Sequence, residues 1–124
     1  MNSAQVGAVL GYVRKLAAVR KDEELPDHQL LERFVLSRDE AAFAALLKRH
    51  GPMVLGVCRS VLHNLHDAED AFQATFLVLA RKASSIHRRE TVSSWLHRVA
   101  YHLAVDVQAD AARRRALERL ARGS

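Results

Sequence analysis

Two stretches of this chain gather residue types able to recognise charged partners, and their chemistry differs. The first runs Asp67-Ala68-Glu69-Asp70-Ala71-Phe72-Gln73-Ala74-Thr75-Phe76. Carboxylates clustered at one end of an amphipathic segment accept hydrogen bonds from cations, and an amide one turn later both donates and accepts. The second begins Arg88-Arg89-Glu90-Thr91-Val92 and continues, nineteen residues after Phe76, with Trp95-Leu96-His97-Arg98-Val99-Ala100-Tyr101-His102. Guanidinium groups grip phosphates and flat rings hold an unstacked base, so cations interleaved with aromatics suit a single nucleic-acid strand. Further on, Arg113-Arg114-Arg115 can track duplex phosphate or simply end a helix favourably against its dipole.

Other chemistries lack their residues. There is no Gly-x-Ser-x-Gly elbow and no Gly-rich loop to cradle a phosphate. Cys58 is the only cysteine and falls on an apolar helical face, which excludes an intramolecular disulfide and suits a reducing cytosol. Among the seven histidines, His63 and His66 straddle a turn, while His97 and His102 are five apart and so face different ways on a helix. No cysteine pair or carboxylate completes a tetrahedral metal set around them. The expectation is a protein that is not an enzyme and holds no metal or cofactor.

These side chains need rigid elements to hold them. A chain of 124 residues that is 49% hydrophobic forms one domain with a modest core. Aromatics are scarce and β-branched runs short, whereas Ala, Leu, Arg and Glu dominate, so the expected class is an all-α, compact helical bundle. The net charge of +5 is unevenly spread: residues 1–82 carry eleven cations against ten anions, residues 83–124 eight against four, all eight being Arg. Such an Arg field is the footprint of phosphate contacts, or of a solvated, salt-bridged helix.

Along the chain, Val6, Val9, Leu10, Val13, Leu16 and Ala17 form a stripe on an N-terminal arm, with Gly7 and Gly11 permitting close approach. That arm docks on the domain, pairs with a second copy, or frays. Asp27 is expected to cap a short helix bearing Leu30, Leu31 and Phe34. Ser37-Arg38-Asp39-Glu40 reads as a capping box opening the next helix. Gly51-Pro52 interrupts that helix or kinks it. Asp67 caps the acidic helix, which runs to Lys82, with Glu69 and Asp70 in its first turn. Ala68, Phe72, Thr75, Phe76 and Leu79 recur every three or four residues and bury one face, leaving Glu69, Asp70 and Gln73 on another. Ser93 or Ser94 opens the last helix, and residues 110–122 continue it into solvent. No basic residue precedes the apolar N-terminal stretch as a signal peptide requires, and no run is long enough to span a membrane, so a cytoplasmic location is expected.

The order acid, acid, glutamine, aromatic, then a basic loop and a Trp-Leu-x-Arg helix, resembles region 2 of bacterial RNA polymerase sigma factors, in particular the extracytoplasmic-function (ECF) group. The resemblance covers roughly Asp27 to Arg115. It implies a bundle of the sigma region 2 type with an extra N-terminal helix, divided as an arm and connector over 1–24, the region 2 domain over 25–115 and a charged tail over 116–124. It implies that Glu69, Asp70 and Gln73 bind the β′ clamp helices of core RNA polymerase. It also implies that Arg88, Arg89, Glu90, Thr91, Val92, Trp95, Arg98, Tyr101, His102, Arg113 and Arg114 meet promoter DNA, chiefly the melted non-template strand of the −10 element; by its type alone, Trp95 is equally suited to the core. The chain departs from the family pattern at Val92, where an aromatic is common, and at His102, where Asn is common.

An anti-sigma factor is a further partner the resemblance allows. No helix-turn-helix resembling the family's region 4 follows, so the chain is either a fragment of a longer factor or a reduced one. The alternative is a helical interaction module that occupies the polymerase clamp or binds a regulator without opening promoters.

Overall fold

The structure, a computed structural model, describes residues 5–7, 9, 25–86 and 89–123. Among the described residues from 25 on, four helices build the bundle: α1 over Asp27–Ser37, α2 over Glu40–Val61, α3 over Leu65–Lys82 and α4 over Val92–Gly123, with a short 3-10 turn at Ala83–Ser85 after α3. The chain is all-α of the expected bundle type, and no strand occurs among the described residues. Most of the N-terminal arm lies outside the described residues; Val6 and Val9, which belong to them, are helical and exposed.

Helix α2 is the axis of the bundle, touching α1, α3 and α4, while α3 and α4 also pack on each other. The core is the shared apolar face of all four: Leu30, Leu46, Val54, Cys58, Leu79, Leu96, Ala100 and Ala104 have no exposed surface or almost none. A chain of rings joins α1, α2 and α3, with centroids 4.9 Å apart for Phe34–Phe43, 6.4 Å for Phe43–Phe76 and 5.2 Å for Phe72–Phe76. Phe43–Phe76 is edge-on, the geometry that the ring quadrupoles favour, and the other two pairs are tilted. Thr75, though fully buried, donates to Ala71 O at 2.7 Å, so its hydroxyl costs the core little.

The helix starts differ from the expected ones. Asp27 does not cap α1, which begins after Pro26, whose carbonyl accepts from Gln29 and Leu30 N–H. The Asp27 carboxylate reaches α2, accepting from Arg49 Nη1 at 2.7 Å and His50 Nε2 at 2.8 Å. The reason is the burial of His50, whose side chain is only 9% exposed. A cap is worth about 1 kcal/mol, whereas an unpaired buried polar group costs roughly 1–3 kcal/mol.

Ser37 closes α1 rather than opening α2; the N-cap of α2 is Asp39, accepting from Ala41 N–H and Ala42 N–H. Between them Arg38 alone makes the turn, at φ 51°, in the left-handed region. Its side chain holds it there: Nη1 donates to Ala80 O of α3 at 3.1 Å and the guanidinium lies 5.0 Å over the Phe34 ring.

Helix α2 runs unbroken through Pro52 for 22 residues. An interior proline costs about 3 kcal/mol through a lost hydrogen bond and a steric clash. Burial on both sides of it, by Ala42, Ala45 and Leu46 before and Val54 and Cys58 after, keeps the two halves one helix. Gly51 lies where α3 comes close: a methyl group there would meet the Phe72 ring at 3.7 Å, ordinary van der Waals contact. The cap of α3 is Asn64, accepting from Asp67 N–H at 3.2 Å. The helix therefore starts at Leu65, so Asp67 sits in the first turn and Glu69 and Asp70 in the second.

Burial raises the Cys58 thiol above its ordinary range, the hydrogen bond to its own backbone opposing this weakly. The folded state therefore favours the neutral thiol. Its contribution is fully present below the unfolded-chain pKa and lost as pH rises through the higher folded value. Alkylation of Cys58 by iodoacetamide at pH 8 is expected to be slower in the native chain than in urea by on the order of tenfold or more. Equal rates in the two states would contradict this burial. No helix among the described residues is long and apolar enough to cross a membrane.

Candidate partner and nucleic-acid interfaces

Helix α3 divides cleanly. Ala68, Ala71, Thr75, Phe76 and Leu79 are buried against the bundle, as the spacing of most of them requires, and Phe72 is partly buried beside them. Glu69, Asp70 and Gln73 are all exposed. At about 100° per residue, Asp70 and Gln73 stand roughly 60° apart, on the side facing away from the core, while Glu69 is on the flank, about 100° from Asp70. The carboxylate and the amide form one stripe able to meet a donor-rich surface, with Glu69 at its edge.

The second region lies at the junction of the loop and α4. Arg88 lies outside the described residues. Arg89 is exposed, and with Glu90, Thr91 and Ser94 it lines a shallow, open depression at the start of the helix. Thr91 is the cap of α4: its Oγ1 accepts from Ser94 N–H at 3.0 Å, its hydroxyl donates to Ser94 Oγ at 2.9 Å, and its carbonyl accepts from Trp95 N–H. This corrects the expected start at Ser93 or Ser94, and a Thr three residues before Ser94 is the signal that carried it.

Arg98 Nη2 donates to Glu90 Oε1 at 2.6 Å, tying the loop to the second turn of the helix. Eight residues separate the partners across a bend, a spacing that no periodic pattern reveals. Arg98 nevertheless keeps about half its side chain in solvent. Tyr101 is 49% exposed, and the His102 ring stands edge-on to it with centroids 6.0 Å apart. Ser94, Arg98 and Tyr101, at spacings of four and three, make one exposed stripe, with His102 beside it.

Two expected DNA-facing side chains do not face outward. Val92 is 4% exposed and Trp95 7%, and both belong to the core. They anchor the first turn of α4 in the bundle, because a ring of that size gains more from burial against α2 and α3 than from water. The basic segment further on is also not one surface. Arg113 is ion-paired with Asp110, and Arg114 stands about 160° round the helix from Arg98. Helix α4 passes through this segment without interruption to Gly123. Gln108 Nε2 ties it to the end of α2, donating to Val61 O at 3.3 Å. Among the described residues no group of three or more His, Cys, Asp or Glu could hold a metal ion.

Comparison with known proteins places this geometry. The family model described as Sigma-70 region 2 matches residues 46–122, which take in most of α2, all of α3, the loop and nearly all of α4. The ECF RNA polymerase sigma factor SigM of Mycobacterium tuberculosis is 35% identical over 83 residues, covering 67% of this chain and 42% of that protein. The ECF RNA polymerase sigma factor SigW of Bacillus subtilis is 31% identical over 68 residues, covering 55% of this chain and 36% of that protein. The chain thus spans about two fifths of the length of the relatives it matches. No solved structure matches it. With the acidic–amide stripe on α3 and the Arg–Tyr stripe on α4 both inside the matched segment, and that segment being more than half its length, this chain belongs to the sigma-70 region 2 family.

Proposed function

We propose that this chain is the polymerase-binding and promoter-opening domain of an ECF-type sigma factor. In this reading Glu69, Asp70 and Gln73 bind the clamp helices of the polymerase β′ subunit, and the loop and first turns of α4 hold the melted non-template strand of the −10 element. RNA synthesis belongs to the polymerase; this chain contributes recognition only. The observation that carries the reading is the segregation of two exposed chemistries, acid and amide on α3, guanidinium and phenol on α4, on consecutive helices joined by the Arg-bearing loop.

A division of labour follows for the strand. Arg89 and Arg98 supply charge to phosphates, and Tyr101 with His102 supplies faces for an unstacked base. The Glu90 carboxylate already neutralises part of Arg98. A phosphate displaces it at little cost, since an exposed ion pair is worth about 0.2–1 kcal/mol while strand binding also releases counterions. Val92 and Trp95 act from beneath by fixing where α4 begins. Arg114, on the far side of the helix, stays outside this strand path.

The test uses the chain bound to core polymerase. A −10-like single strand is expected to bind more tightly than the same sequence as duplex, with affinity falling as salt rises. Arg89→Ala and Tyr101→Ala should each erode that preference, the tyrosine by about 1–3 kcal/mol, the worth of one stacked base. Arg114→Ala should leave the preference as it was. Equal affinity for the two forms, insensitive to Arg89 and Tyr101, would leave only a clamp-binding module without promoter opening.

A further inference from the structure

From Ala71 to Val105 the chain carries five cations, Arg81, Lys82, Arg88, Arg89 and Arg98, and a single carboxylate, Glu90. That one acid sits inside the proposed strand site. Its Oε1 accepts from Arg98 Nη2 at 2.6 Å, and its side chain is 28% exposed against 53% for the arginine. With Arg89, Thr91 and Ser94 it lines the depression where α4 begins. Stability does not account for an acid at this place. An exposed ion pair adds little to folding, and Thr91 already caps the helix. The effect of Glu90 falls instead on whatever polyanion approaches Arg89 and Arg98.

Attraction to phosphate does not favour a single strand. A duplex carries about one charge per 1.7 Å of its axis, twice the density of either of its strands. Each uncompensated guanidinium therefore raises affinity for duplex at least as much as for single strand. Stacking does the reverse, because only an unpaired base offers its face to a ring. Specificity is a difference of affinities, and it rises when the competitor is repelled. We propose that Glu90 is a specificity-determining residue of the strand site: its carboxylate cancels one guanidinium and repels duplex phosphate, which leaves stacking on the exposed Tyr101 to decide which form is held. This rests on the strand reading given above and extends it from what attracts the strand to what turns the duplex away.

The experiment measures binding of a −10-like single strand, and of the same sequence as duplex, to the full chain on core polymerase at several salt concentrations, alongside thermal melting. Glu90→Gln keeps an acceptor for Arg98 and removes only the charge. It is expected to bind duplex about fivefold more tightly and single strand about twofold, so the preference falls to less than half. The slope of log affinity against log salt should steepen for duplex by up to about 0.9, one phosphate's worth, with the melting temperature unchanged. Asp110→Asn makes the same change in net charge about 180° round α4 from Tyr101 and should leave the preference as it was. If Glu90→Gln binds both forms like the parent while Glu90→Ala weakens both, Glu90 only holds the loop and the inference is overturned. Equal tightening of the two forms, or an equal shift with Asp110→Asn, overturns it as well, and each of these results leaves the strand site standing. If the parent chain itself shows no preference for single strand, the reading of the strand site falls, and this inference with it.

Discussion

Replacing Leu96 by Ala is expected to lower the unfolding free energy by on the order of 2–5 kcal/mol, the range for buried leucines whose sites relax only partly. Leu96 has no exposed surface and lies on α4 where that helix meets both α2 and α3. Ala100 and Ala104, also fully buried, continue the same stripe with side chains too small to collapse into the space left behind. Against a total stability of about 5–15 kcal/mol this is a large fraction, and for a domain of this size it lowers the melting temperature by roughly 10–20 °C. Urea unfolding with an unchanged slope would measure it directly. The matched control is Leu117→Ala, at 65% exposure on the same helix, expected to change stability by less than about 0.5 kcal/mol. A loss below about 1 kcal/mol for Leu96→Ala would mean that α4 is not seated on the bundle as described. The loop and the first turns of α4 carry Arg89, Arg98 and Tyr101, so the variant should also lose single-strand preference at temperatures where it is still largely folded.

Charge reversal on α3 should produce the second large effect, this time on association. Asp70→Lys combined with Gln73→Ala is expected to weaken the complex with core polymerase by about 1–3 kcal/mol, roughly ten- to a hundredfold, while helicity and melting temperature stay near those of the parent chain. The fold is indifferent because neither side chain packs in the core and because α3 starts at Leu65, with Asn64 as its cap. Asp70 is thus past the first turn, where its loss would disturb the helix dipole most. A parallel Asn64→Ala variant should show the opposite profile, costing about 1 kcal/mol of stability by removing the cap and leaving the polymerase contact intact. Unchanged affinity of the double variant in a pull-down with purified polymerase would remove the assignment of this face.

Much of this was legible from residue order because helices report their faces locally. The stripe of Ala68, Thr75, Phe76 and Leu79 needs only the 3.6-residue period to be recognised as buried, and the same period puts Asp70 and Gln73 outside. The all-α class, the burial of Cys58 and the continuation of the last helix past residue 110 follow from composition and spacing in the same way. The family likeness rested on the order of two motifs and the match to region 2 agrees with it.

What sequence reasoning missed depends on residues far apart in the chain. Asp27 is as good a cap as any aspartate until His50, 23 positions later, is buried beside it and requires a partner. Pro52 breaks an isolated helix, and only apolar surface on three neighbours keeps α2 continuous. Arg38 tolerates a left-handed backbone because Ala80 O and the Phe34 ring wait for its side chain. Val92 stands where the family likeness puts a nucleic-acid contact, and Trp95 is by type as fit for the core as for a stacked base; only packing in the bundle turns both inward. By itself, then, the sequence determined the helices, their inner and outer faces and the chemistry each outer face offers, since these depend on neighbours within a turn or two. The tertiary structure decided which polar groups pair across helices, where each helix begins, and which side chains of the loop and α4 remain available to a partner, because those outcomes depend on free-energy differences of a few kcal/mol that arise only once separate segments meet.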